Sequence, residues 1–260
     1  MAKKAVFGTC HLCGASGKLS FEHVPPEAAF NDRSVRSPDI ERIFELQNLD
    51  DLSKIGGKQS QRGIGGYTLC ESCNSRTGHW YGAHYAAWAY QAAGYLVRSP
   101  TRMTLAYPFH ILPLRVIKQI ICMFFSVNSH HFREAHPDLV RFVLNPREKY
   151  LSRTARVFVG YSASDRSRMS GIAGMLSGGT TRVYSEISFP PFSYILDLNQ
   201  QAPVHEMLDI SFFSGFGYDD YRALSLPMPV LSVYTHLPGD FRSREAVLSA
   251  VQHRSTESQL

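Results

Sequence analysis

The chain has 260 residues, 44% of them hydrophobic and 19% charged, with a formal net charge of +5. These totals exclude a disordered tail and a disulfide-rich mini-protein, and they leave room for one large globular domain or two small ones. The basic excess is thin: residues 1–97 carry ten Lys and Arg against nine Asp and Glu, so a polyanion would be met by local contacts and not by a broad basic track.

Taken in chain order, residues 5–22 read as strand, knuckle, strand, with Val6 and Phe7 leading into Cys10, and Gly14 and Gly17 permitting the turn. Pro25 and Pro26 then hold the chain extended after His23. Ile40, Ile43 and Phe44 give residues 39–46 the spacing of a short helix. Residues 53–63 are Gly-rich and carry Lys54, Lys58 and Arg62 with no acid, which suits a solvated loop or a loop that touches phosphate. From Cys73 a helix is expected to run to about Leu96. Along it Tyr81, Tyr85, Trp88, Ala92 and Tyr95 form an aromatic stripe, read as the seam between an N-terminal unit, 1–97, and the remainder, 98–260.

Beyond the seam, Leu114, Ile117, Ile121 and Phe124 mark a second helix, and a third runs from Pro137 to Asn145-Pro146. Five β-rich runs follow, at 156–161, 181–188, 192–198, 208–213 and 229–234, with Ser177-Gly178-Gly179-Thr180 as a hairpin connection. The fold class expected is therefore α+β, with helices followed by a mostly antiparallel sheet. Neither the N-terminus, which lacks the apolar stretch of a signal peptide, nor the short apolar run at 120–125 suits a membrane. Cys122 lies in that run and reads as a core residue. With the other four cysteines in Cys-x-x-Cys pairs, a reducing cytoplasm is the expected setting.

Those pairs, Cys10-x-x-Cys13 and Cys70-x-x-Cys73, are the strongest chemical signal. Each turns both sulfurs toward one ion, and two knuckles complete the tetrahedron of a structural Zn²⁺ site. Between them lie 56 residues, long enough to carry structure of their own. Glu22-His23-Val24-Pro25 follows the first knuckle, and Asn74 directly follows the second. Carboxylate and amide oxygens are hard ligands suited to Mg²⁺ or Mn²⁺, and a neutral imidazole can take a proton from water near neutral pH.

In this order and context the motifs resemble those of the HNH nucleases of the ββα-metal superfamily, in the zinc-stapled branch. The resemblance covers about the first third of the chain. It implies a small zinc-bound ββα-metal domain over 1–97 with a long inserted loop, followed by an α+β domain of unassigned role over 98–260. It further implies a metal-dependent endonuclease acting on DNA, with His23 as general base, and Glu22 and Asn74 as ligands of a catalytic Mg²⁺ or Mn²⁺. Arg76, Lys58 and Arg62 are the candidate phosphate contacts. Two departures stand out. Glu22 occupies the place of the usual Asp, and the family's middle asparagine is absent from Gly65-Gly66-Tyr67-Thr68, so a backbone carbonyl or Asn48 would brace His23. The alternative function is a zinc-stapled module that binds nucleic acid or protein without cleaving. His79, five residues after Asn74, falls on another face of the helix and reads as a surface or interdomain packing residue. Oligomeric state is left open by the sequence.

Overall fold

A computed structural model describes residues 5–38, 57–177, 179–200 and 206–257. Strand β1 (Val6–Thr9) turns through the first knuckle into β2 (Ser16–His23). The turn closes with the Gly14 N–H on the Cys10 carbonyl at 2.9 Å, and Gly14 takes φ +80°. A side chain there would also run into the Arg133 guanidinium, so only glycine fits. An insert containing the antiparallel pair β3 (Val35–Pro38) and β4 (Gly57–Ser60) leads to β5 (Gly65–Cys70). The sheet order is β1-β2-β5, antiparallel throughout, with a bulge at Thr68 of β5 opposite the step from Ser20 to Phe21. The helix expected at 39–46, Asn48, and the first part of the Gly-rich loop lie outside the described residues. Its later part includes β4.

Directly after β5 comes α1 (Glu71–Thr77), then a π turn (Gly78–Gly82) and α2 (Ala83–Arg98), one helical run that matches the expected helix. Next are β6 (Thr104–Ile111), α3 (Pro113–Val127), the single turn α4 (Phe132–Ala135) and α5 (Pro137–Leu144). The remaining elements are β7 (Arg156–Ser162), β8 (Arg168–Ser177), β9 (Thr180–Phe189), β10 (Phe192–Asp197), β11 (Leu208–Asp209), a 3₁₀ turn (Ser211–Gly215), β12 (Arg222–Leu231) and α6 (Arg244–Glu257). The large sheet runs β6-β12-β7-β10-β9-β8, with β11 also on β7. Its pairings are antiparallel except at Val230 and Leu231, where β12 runs parallel to β7. The expected α+β class with a mostly antiparallel sheet holds, and β8 and β9 meet in a tight hairpin at Ser177 and Thr180.

Three expectations need correction. The run at 208–213 is a strand only at Leu208–Asp209, because side chains there take over backbone hydrogen bonds. The Asp209 carboxylate accepts the Ser211 N–H at 2.8 Å, the Ser211 hydroxyl accepts the Val157 N–H at 2.9 Å, and the ladder gives way to the 3₁₀ turn. Strand β12 begins at Arg222, not at 229, despite Pro227 and Pro229. The Val230 N–H reaches Met103 on the β6 side, so the prolines direct their missing N–H groups to the opposite side, where β7 pairs only at 230 and 231. Strands β6 and β8 went unforeseen. Each lies at an edge of the sheet, and in β8 the run Ser170-Gly171-Ile172-Ala173-Gly174 carries no apolar alternation.

One apolar core runs without interruption from Cys10 and Leu12 to Leu226 and Met228. The aromatic stripe of α2 is inside it: Trp88 stacks on Phe192 at 4.8 Å and donates its indole N–H to the Tyr194 hydroxyl at 2.9 Å, while the Tyr81 hydroxyl donates to the Val143 carbonyl at 2.7 Å. Helix α3 is buried nearly all round, Lys118 included. The Lys118 ammonium donates to the carbonyls of Phe142 and Asn145 at the C-terminal end of α5, where the helix dipole is negative, while burial pushes its pKa down to about 7. A smaller cluster of Phe158, Tyr184, Ile195, Leu231, Val233 and Phe241 fills a second layer. Segment 235–240 is tied down there by buried Arg168, which binds Glu186 at 2.8 Å and the Thr235 and Asp240 carbonyls at 2.7 and 3.0 Å.

Candidate metal centre and the adjoining polar residues

The two knuckles meet because β2 pairs with β5. Leu19 stands opposite Cys70, and the His11 N–H donates to the Thr68 carbonyl at 2.8 Å, so the first knuckle is laced to the strand that carries the second. Cys70 caps α1 and Cys73 lies in its first turn. The four Sγ atoms lie within 4.8 Å of one another, with Cys13 and Cys70 at 3.7 Å. A tetrahedron with Zn–S bonds of about 2.3 Å has S···S edges of about 3.8 Å, so the cluster could hold a metal such as zinc. All four cysteines are free thiols, and Cys10 and Cys73 are fully buried. The hydrogen bond from Cys73 pulls the Cys10 thiol down to about 4, while that bond and burial hold the Cys73 proton more tightly than in an ordinary thiol. Four sulfurs this close would repel one another as thiolates, a penalty that a bound divalent cation removes.

Glu22 and His23 end β2. Neighbours on a strand leave opposite faces, and these two do. Glu22 is 6% exposed, close enough to α3 that its charge, after burial itself, helps raise the Cys122 thiol. Its carboxyl takes no hydrogen bond among the described residues, and burial pushes its pKa up to about 8. The His23 ring lies on the other face, edge-on to Phe21 at 5.0 Å. Tyr67 meets that same Phe21 ring at 5.5 Å, and the Arg62 guanidinium sits 5.6 Å from it. His23 thus shares its face with two aromatic rings and one of the expected phosphate contacts.

Asn74 points back to β2. Its Nδ2 donates to the Phe21 carbonyl and the Ser20 hydroxyl, both at 3.1 Å. A carbonyl can only accept, so the amide orientation is set and Oδ1 is the atom left open. Arg76 lies beside the cysteine cluster: its guanidinium donates to Cys73 Sγ at 3.8 Å and to the Ser72 carbonyl at 3.3 Å, and sits 5.8 Å from the Trp80 ring. Lys58 is on β4, opposite Ser37. His79 is exposed in the π turn, apart from the cysteine cluster.

Sequence reasoning missed Asn31. It is 1% exposed, and its side chain staples the segment just after His23 to the segment just before β5. Nδ2 donates to the Pro25 and Ile64 carbonyls, and Oδ1 accepts the Ile64 N–H, all at 2.7 Å. The Val24 N–H also reaches the Ile64 carbonyl at 3.0 Å. Asn31 thus ties together the backbone that follows His23 and the backbone that precedes β5, and it ends the turn in which the Ala29 N–H donates to the Pro26 carbonyl at 2.8 Å. An asparagine eight residues past the histidine, after two prolines, was the only trace of it in the sequence. No family of proteins, no curated protein and no solved structure compared with the chain matches it. No helix among the described residues is long and apolar enough to cross a membrane.

Proposed function

We propose that the chain is a zinc-stapled endonuclease of the HNH type, which hydrolyses DNA phosphodiester bonds with one catalytic Mg²⁺ or Mn²⁺. The observation that carries this reading is the pairing of a buried carboxyl without a hydrogen-bond partner, Glu22, with an adjacent imidazole likewise without one, His23, on a strand locked beside four clustered cysteines. The order strand, strand, helix over β2, β5 and α1, with sulfur pairs at both ends, is the arrangement that the resemblance asks for. Cys10, Cys13, Cys70 and Cys73 would hold the structural Zn²⁺, and the Glu22 carboxylate and Asn74 Oδ1 would hold the catalytic cation.

That cation, when bound, would stabilise charge on the scissile phosphate and on the departing 3′ oxygen. The His23 imidazole would accept the proton of the attacking water at its free ring nitrogen. Asn31 acts as a positioning residue, fixing the backbone behind His23. Arg62, beside the His23 face, would meet a phosphate oxygen, with Lys58 and Arg76 as the outer contacts. Residues 98–260 would supply target choice, regulation or dimerisation.

A specific observation favours the second reading, a zinc-stapled module that binds without cleaving. Glu22 and His23 leave opposite faces of β2, and Nδ2 of Asn74 is spent on β2 itself. Plasmid nicking separates the two. The nuclease reading expects about one zinc per chain and Mg²⁺- or Mn²⁺-dependent nicking that His23→Ala reduces by more than about a hundredfold with zinc content unchanged. Nicking that survives His23→Ala, or none by the wild type with any divalent cation, transfers the case to the binding module.

A further inference from the structure

Beyond the second knuckle a groove of about 770 Å³ opens, lined by Trp80, Asn145, Pro146, Arg147, Glu148, Lys149, Tyr150 and Tyr218. Three aromatic rings and two cations, Arg147 and Lys149, face it, and further cations stand against the rings from outside the lining. The Arg76 guanidinium sits 5.8 Å from the Trp80 ring, the Arg115 guanidinium 3.8 Å from the Tyr218 ring, and the Lys149 ammonium 5.3 Å from the Tyr150 ring. Its one lining acid, Glu148, is turned to Arg141 at 3.4 Å; Arg147, 80% exposed, reaches Asp219 at 3.4 Å, and Lys149 is the other cation of the wall. Arg76 also reaches Cys73, so the groove begins beside the cysteine cluster.

Tyr150 is held in a way that packing does not account for. Its φ of +63° is the left-handed region, which a side chain other than that of glycine enters at a cost. Its N–H is fixed to the Ser214 carbonyl at 2.9 Å, and the ring is left 72% exposed. A strained backbone that displays an aromatic ring to solvent points to a ligand for that ring.

We infer that this groove takes an unpaired stretch of DNA, its bases stacking on Trp80 and Tyr150 and its phosphates meeting Arg147 and Lys149. This rests on the nuclease reading and narrows its substrate to DNA that is single-stranded or carries unpaired segments. A duplex keeps its bases stacked within itself and would leave the rings unused, whereas stacking platforms interleaved with cations are how unpaired strands are held. The near-neutral N-terminal part likewise offers no broad track for a duplex backbone.

Tryptophan fluorescence tests this directly, because the chain has two tryptophans and Trp88 is buried in the core. The full-length, zinc-loaded His23→Ala variant is titrated with a twelve-nucleotide oligothymidylate, with a duplex of the same length, and with a proline-rich peptide. The expected result is quenching by the oligothymidylate, with affinity about tenfold or more above that for the duplex. Adding Tyr150→Gly is expected to weaken that binding at least about fivefold while the melting temperature stays level or rises, since glycine relieves the left-handed strain. Equal affinity for duplex and single strand, unchanged binding by Tyr150→Gly, or quenching by the peptide alone would each overturn the inference. A chain that never nicks yet passes this titration loses the nuclease reading and keeps the groove. One that nicks normally yet fails the titration does the reverse.

Discussion

At the scale of single residues, the account turns on side chains whose partners are missing and on one whose partners are complete. Glu22 and His23 have no hydrogen-bond partners among the described residues, which is the state of groups kept ready for something else. Asn31 uses both ends of its amide, on the Pro25 and Ile64 carbonyls and the Ile64 N–H. Its replacement by Ala leaves the Pro25 carbonyl and the Ile64 N–H without their partner, while the Ile64 carbonyl keeps the Val24 N–H, and Asn31→Ala is expected to cost about 1–3 kcal/mol in denaturant unfolding. If Asn31 also positions His23, the same variant loses nicking rate at temperatures where it remains folded, with little change in substrate affinity. The cysteines, Glu22, His23 and Asn74 were legible because short spacings carry them. Asn31 was not, because its role depends on a turn that brings it back against residues 33 positions away. No local pattern encodes that contact.

At the scale of elements, the same division holds. Helices α2, α3 and α5 were read nearly to their ends, since a one-sided apolar stripe, a leading proline and a closing Asn-Pro are local signals. The central strands β7 and β10 were likewise legible as apolar runs, and β9 as a stretch rich in β-branched and aromatic residues. Edge strands β6 and β8 were not, because half of their environment is solvent and no alternation is imposed. The 235–242 segment, closed over the second layer, was not foreseen. Its acid Asp240 accepts hydrogen bonds from Arg242 at 2.8 and 2.9 Å and from the Thr235 hydroxyl at 2.9 Å. The hydrogen bonds from Arg242 lead in holding the Asp240 carboxyl down at about 2, below its ordinary 3.8. A carboxyl whose pKa is depressed by folding adds stability that is present above 3.8 and is lost as pH falls through 2. Discounted for the half-exposed Arg242, the contribution is about 1–2 kcal/mol at pH 7. Asp240→Asn is therefore expected to be less stable than the wild type by that amount at pH 7, with the gap shrinking as pH falls from about 5 toward 2, read by urea melts across that range.

At the scale of the whole molecule, the cysteine cluster and the large sheet share one core. Trp88 stands at its centre, against Phe109, Phe192 and Phe213, and joins the helical run that starts at the second knuckle to the sheet beyond. Trp88→Ala is expected to cost about 3–5 kcal/mol, and zinc release on heating should shift with the loss of sheet signal in circular dichroism. Two transitions that move independently would mean that the core does not couple the metal site to the sheet. The aromatic stripe was legible as buried. That it would bury itself in a core common to both halves was not, because the partners Tyr194 and Phe192 lie more than a hundred residues away.

The central claim is that one cation is shared by Glu22 and Asn74 at the end of β2 that carries His23, apart from the zinc that the four sulfurs would hold. Anomalous scattering from crystals soaked in Mn²⁺, collected on both sides of the zinc and manganese edges, addresses it most directly. The account predicts a zinc peak among Cys10, Cys13, Cys70 and Cys73, and a manganese peak in contact with the Glu22 carboxylate and Asn74 Oδ1. A zinc peak with no manganese at those oxygens, in crystals whose lattice leaves the end of β2 open, would contradict it.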